Sequence, residues 1–130
     1  MKCMHVLWLT GRSTADLCST TQRSLIEGIL NLEHRVSFVN GDDTVPLNHI
    51  GFTHVPLSSK APRGFQARAL GKAMAVWLTG QTIDRDSTVA LVEWRVAQHV
   101  VPVLLDKGIP WARMDRSPPA DPGLLGRLQW

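Results

Sequence analysis

Two cysteines, few aromatic residues and no long apolar run set the first limits on this chain of 130 residues. Cys3 and Cys18 make neither a Cys-x-x-Cys pair nor a Cys/His metal spacing. Two reduced thiols are therefore expected, with no disulfide staple and no metal site. A helix across a bilayer needs roughly 18 apolar residues in succession, and no stretch approaches that. The opening Met1-Lys2-Cys3-Met4-His5-Val6-Leu7-Trp8-Leu9 has one basic residue before its short apolar run. Thr10-Gly11-Arg12 follows without a small-residue cleavage site, so this is not a secretory leader. A cytoplasmic chain is expected.

Charge of one sign is also scarce. Fourteen Lys and Arg against eleven Asp and Glu leave a formal net charge of +3, although the pI is about 9.3. There is no basic run, no zinc-finger spacing and no aromatic-basic RNA-binding signature, so nucleic acid is not an expected partner. What is present is a 44% hydrophobic fraction spread along the chain. That excludes a disordered or collagen-like chain and suffices for one domain with a core of its own.

The apolar pattern alternates between two periods. Residues 4–9 read as a strand buried on both faces. In 22–32, Leu25, Ile26, Ile29, Leu30 and Leu32 build one helical stripe, with Ser19, Thr20 or Thr21 able to cap its start. Strands follow at 35–39 and 52–57. From Phe65 the helical period returns, with Leu70, Ala73, Met74 and Trp77 inward and Gly80 as the stop. Residues 88–92 form the clearest strand. A helix from about Trp94 to Lys107 is apolar on most sides and expected to be largely buried, with a kink at Pro102 unless it starts later. Gly108 ends it, and 109–114 make a fifth strand. Asp121-Pro122 suits a helix start, and the chain stops at Trp130 inside that helix. Trp8, Trp77, Trp94 and Trp111 all fall in these elements and are expected in the core.

Strands alternating with helices predict an α/β fold, an open and mostly parallel Rossmann-like sheet with helices on both faces. The expected strand order is 3-2-1-4-5. Residues 1–130 read as a single domain, and the helix cut at Trp130 suggests the N-terminal part of a longer two-domain protein. Self-association or fraying through Leu124, Leu125, Leu128 and Trp130 would follow.

In such sheets ligands bind beyond the carboxyl ends of the strands. Gly11, Arg12, Ser13 and Thr14 fall there, and their backbone N–H groups could meet a phosphate. The turn lacks G-x-G-x-x-G and lacks the P-loop lysine, so neither a dinucleotide nor a P-loop site is indicated. Asn40 to Asp43 and Ser58 to Lys60 end the second and third strands. Glu93 ends the fourth, either as a ligand contact or as the ion-pair partner of Arg95, Arg113 or Arg116. Asp115 could serve as a base or hydroxyl acceptor, and Arg116 could hold a phosphate or carboxylate in bidentate fashion. The histidines show no ligand spacing, and His5 reads as a strand residue. Asp84 and Asp86 read as a solvated turn at the opposite edge.

The order of these pieces resembles the N-terminal domain of a GT-B-fold glycosyltransferase, in the retaining group that includes sucrose and glycogen synthases. Val6-Leu7-Trp8-Leu9-Thr10-Gly11 matches the first strand and glycine turn. Glu33-His34-Arg35-Val36 is similar to that family's Gly-His-x-Val, and Val89 to Glu93 and Ile109 to Pro119 complete the likeness. Glu33 stands where the family has a helix-ending glycine, so a left-handed residue there costs about 1–2 kcal/mol or is avoided. After the fifth strand the family carries a His-centred motif where this chain reads Met114-Asp115-Arg116. The resemblance implies an acceptor-side domain that is inactive alone. Its substrate-binding residues would be Gly11, Arg12, Ser13, Thr14, Glu93 and Arg116, with Asp115 carried over by position as catalytic. It implies a nucleotide-sugar donor as co-substrate, a sugar or lipid acceptor with room for peripheral membrane contact, and no metal or other cofactor. A non-catalytic nucleotide or small-molecule binding module of flavodoxin-like type is the alternative.

Overall fold

Val6-Leu7-Trp8-Leu9 carries no polar break, and it forms the middle strand of the sheet, where both faces must be covered. A computed structural model describes residues 3–11, 19–41, 49–57 and 65–114, with backbone alone at 19–22. In chain order the elements are β1 (His5–Leu9), α1 (Ser19–Asn31), β2 (Arg35–Asn40), β3 (Phe52–Pro56), α2 (Gln66–Thr79), β4 (Thr88–Glu93), α3 (Trp94–Lys107) and β5 (Trp111–Met114). The sheet order is β3-β2-β1-β4-β5 and every pairing is parallel. The fold is thus an open α/β Rossmann-like sheet with the expected strand order.

Period-two alternation divides the core. Leu7 and Leu9 share one face with Val39, Ala90 and Val92, and there they meet Leu70, Met74 and Leu78 of α2 and Val96, Val100 and Leu104 of α3. Val6 and Trp8 share the other face with Val36 and Phe38, covered by Ile26 and Leu30 of α1. Helices lie on both faces, two on one side and one on the other. Each fully buried Leu or Val contributes about 1.5–3 kcal/mol of hydrophobic transfer, so the two clusters fix the register of β1 against a one-residue slip.

Three expectations need correction. The first helix begins at Ser19 rather than 22, so residues 19–21 lie inside it; of its stripe only Ile26 and Leu30 are buried, while Leu25 and Leu32 are exposed. A stripe wider than the contact leaves its margins in water. The α3 helix is not buried on most sides: Val96, Val100 and Leu104 are buried, Ala97, His99 and Val103 are partly covered, and the face of Trp94, Gln98, Pro102 and Leu105 is exposed. Trp94, in its first turn, is 47% exposed, and Trp111 on the edge strand β5 is 37% exposed. Among the four tryptophans described, Trp8 alone is fully buried, with Trp77 partly so. Pro102 lies exposed inside α3, which runs from Trp94 all the same.

The helix ends show how local chemistry overrides pattern. Gly108 takes φ 71°, the left-handed cap that glycine permits, and its N–H and that of Ile109 close on Leu105 and Leu104. Gly80 ends α2 in right-handed geometry instead. Glu33 adopts φ 67° after α1, so the left-handed position is occupied by a residue with a Cβ. Its N–H reaches the Leu30 carbonyl at 2.9 Å, and that of His34 reaches Ile29 at 3.3 Å. The strain is therefore borne, and Glu33→Gly should raise the unfolding free energy by about 1 kcal/mol. Chemical denaturation at neutral pH measures this; a loss of stability would show that the Glu33 side chain contributes more than its backbone strain costs.

Candidate functional site

The chain runs outward from β1 through β2 to β3, then returns to place β4 and β5 on the other side. The reversal lies between β1 and β4, and in open parallel sheets ligands bind at such a point, beyond the carboxyl ends of the strands. Beyond β1, Thr10 is fully buried and its N–H donates to the Val39 carbonyl at 3.1 Å. Gly11 follows. A Cβ placed on Gly11 would lie 3.6 Å from Glu93 Oε1, 3.7 Å from Val96 Cγ1 and 4.0 Å from Leu70 Cδ2. The first glycine therefore sits against the end of β4 and the opening turns of both α2 and α3. Those distances are ordinary van der Waals contacts, and Gly11 does not have positive φ. Among the described residues, packing thus leaves room for an alanine here.

Glu93 has a specific local task. It is 1% exposed and stands as the N-cap of α3, its Oε2 accepting from the Arg95 backbone N–H at 2.7 Å. The Arg95 guanidinium closes on the same carboxylate, Nη2 at 2.7 Å and Nε at 3.0 and 3.1 Å. Among the ion-pair partners expected from sequence, Arg95 is seen on this carboxylate. A carboxylate so engaged orients the helix start and a guanidinium. The capping role escaped sequence reading, although a strand-ending acidic residue two positions before an arginine was its signal.

At the end of β2, Asn40 is fully buried, and its Oδ1 meets His54 Nε2 at 2.8 Å. Its carbonyl accepts from Leu57 N–H at 2.8 Å. This network fixes the β2–β3 side of the same edge. Arg12, Ser13, Thr14, Asp115 and Arg116 lie outside the described residues, as do Cys18, Asp42, Asp43, Ser58 to Lys60 and the final segment from Asp121. The structure thus brings Gly11 and Glu93 together. Cys3 is a free, exposed thiol. Among the described residues no group of His, Cys, Asp and Glu could hold a metal ion.

The opposite, amino edge holds a feature that the sequence did not reveal. His5 Nε2 lies 2.6 Å from Ser37 Oγ, on neighbouring strands of one sheet face. Two strand residues far apart in sequence give no motif, and only the β1–β2 register joins them. Burial, and then the Arg35 charge beside it, hold the His5 pKa below the ordinary histidine value of 6.5. Asp84 also lines this edge, and binds the Asp86 N–H and the Ser87 hydroxyl in the expected solvated turn. For a histidine with a lowered folded-state pKa, the unfolded chain takes up the proton first. Stability from His5 is complete above pH 6.5 and is lost as pH falls toward the folded-state pKa. Denaturation midpoints for the parent and His5→Gln should converge as pH drops below 6.5; parallel curves would remove His5 from that dependence.

No protein-family model matches the chain, and no curated protein does so. No helix among the described residues is long and apolar enough to cross a membrane.

Proposed function

We propose that the chain is the acceptor-side domain of a glycosyltransferase that moves a sugar from a nucleotide-sugar donor, with its carboxyl edge forming one wall of the cleft. The observation that carries this reading is Gly11. Among the described residues nothing demands a glycine there, since its φ is not positive and a Cβ would meet only ordinary contacts. A glycine with no internal reason, placed at the reversal point of an open parallel sheet, suits close approach of a ligand to the backbone. The N-terminal half of α2 stands beside it through Leu70, and that helix start, which has no side-chain cap, favours negative charge; at α3 the Arg95 N–H is already taken by Glu93.

The motif order from the first strand to the fifth supports the assignment to a GT-B-like enzyme. The strand order supports it over the flavodoxin-like alternative, whose sheet runs 2-1-3-4-5. Glu93 is a positioning group in this reading. Asp115 is the candidate acid–base residue, with Arg12, Ser13, Thr14 and Arg116 as further contacts. Cytoplasmic location belongs to the same proposal.

One wall gives weak binding. Helix termini and exposed charges contribute about 0.3–1 kcal/mol each, and a handful of them reaches only the 4 kcal/mol of a millimolar complex. Transfer also requires donor and acceptor within about 3–3.5 Å of each other, which needs both walls. Calorimetric titration of the purified chain with common nucleotide-sugars should therefore find millimolar affinity at best, with no transfer to sugar or lipid acceptors. Micromolar affinity would mean that the chain carries a complete site, as a nucleotide-binding module does.

A further inference from the structure

The amino edge of the sheet, at the opposite end of the strands from Gly11, has a cleft of its own. The β1–β2 and β1–β4 registers set Arg35, His5 and Thr88 in one row across three strands, all on the face toward α2. The next row holds Ser37 and Leu7, with Thr53 opposite Ser37 on β3. Trp77, in the last turn of α2, and the segment from Gln81 to Asp84 stand over these rows. A cleft of about 470 Å³ lies between them. That is the size of a small-molecule site.

Its chemistry is lopsided. Leu7, Val55, Trp77 and Ile83 supply an apolar surface, while Ser37, Thr53, Thr82, Ser87 and Thr88 supply hydroxyls. Among the described residues, the charged groups lining it are Arg35 and Asp84. The Asp84 carboxylate is occupied by its own turn, through the Asp86 N–H and the Ser87 hydroxyl. Among the described residues, none forms a hydrogen bond or ion pair with the Arg35 guanidinium. The C-terminal end of α2, which would repel an anion, is already answered. Lys107 Nζ donates to the Gln81 carbonyl at 3.0 Å, and the carbonyls of Val76, Trp77 and Leu78 accept from Gly80 and Gln81.

We propose that this cleft binds a small organic monocarboxylate, its carboxylate on the Arg35 guanidinium and the Ser37 hydroxyl, its apolar body over Leu7, Val55, Trp77 and Ile83. A guanidinium fork matches one carboxylate in charge and in geometry. The His5–Ser37 pair supplies direction. With its proton on Nε2, His5 donates to Ser37 Oγ, and the Ser37 O–H is left to donate to the ligand. A dianion such as phosphate would ask for a second cation that the cleft does not present.

Two-dimensional NMR of the full chain tests this, with phenylacetate and hexanoate as probes and phenylacetamide and inorganic phosphate as controls. Both carboxylates should shift His5, Ser37, Thr53 and the Trp77 indole saturably, and His5 should move toward the Nε2-protonated form. Arg35→Gln should weaken phenylacetate about tenfold, the loss of a charge-assisted bidentate contact. Arg35→Lys, which keeps the charge without the fork, should retain part of the affinity, and both variants should keep the parent's dispersed spectrum because Arg35 is exposed. The proposal is overturned by absence of saturable shifts at His5 and Ser37, by equal binding to Arg35→Gln, or by phenylacetamide or phosphate binding as well as phenylacetate.

Discussion

Replacing Glu93 by alanine should lower the unfolding free energy by about 2–4 kcal/mol. The loss has two parts. An N-cap acceptor for α3 disappears, worth roughly 0.5–2 kcal/mol. The charge-assisted contacts of the carboxylate with Arg95 disappear as well, about 1.5–3 kcal/mol at a buried carboxylate. The Arg95 side chain is 34% exposed, so it can turn toward water, and the full penalty of stranding a buried charge does not apply. Glu93→Gln keeps an oxygen for the Arg95 N–H and should recover about half of the difference. Urea denaturation of the three proteins decides it. Equal stability of Glu93→Ala and the parent would mean that the cap and the pair do not hold the start of α3.

The second large effect is at Gly71, where α2 and α3 come closest. A Cβ there would fall 2.4 Å from His99 Cδ2, 2.9 Å from Cγ and 3.1 Å from Cβ. Rotation about χ1 can carry the His99 ring away, but its Cβ belongs to the α3 backbone and stays. Gly71→Ala should therefore incur an overpacking penalty of about 2–3 kcal/mol. Alanine returns about 1 kcal/mol through helix propensity, leaving a net loss of roughly 1–2 kcal/mol. Gly71→Ala combined with His99→Ala should be more stable than Gly71→Ala alone, since the ring is the worse overlap. If Gly71→Ala proves stabilising, the two helices are not as close as 2.4 Å implies.

These two positions also mark where sequence reading stops. The class and order of the sheet were legible because uninterrupted Val, Leu and Ile runs alternate with helical stripes, and topology rules leave few strand orders. The end of α3 was legible because Gly108 follows a helical stripe directly; its left-handed geometry came from the structure. Gly71 was not, because a mid-helix glycine resembles a weak helix former until a neighbour's ring is found against it. Trp94 and Trp111 were misplaced because residue type says how large an apolar surface is, and only packing says whether anything covers it. Glu33 kept its left-handed backbone without glycine, since about 1–2 kcal/mol of local strain is small beside the two core clusters. For the site, position along the strands was enough to bring Gly11 beside Glu93. The His5–Ser37 pair depended on register between β1 and β2, which no local pattern encodes.

The central claim is that the carboxyl edge between β1 and β4 is a ligand wall built around Gly11. Residue-resolved NMR titration of the chain with a nucleotide-sugar such as UDP-glucose tests it most directly. The account predicts weak, saturable shifts grouped on Thr10, Gly11, Glu93 and the first turns of α2 and α3. Gly11→Ala should abolish those shifts while changing stability by less than about 1 kcal/mol. Shifts that map elsewhere, or that persist unchanged in Gly11→Ala, would contradict it.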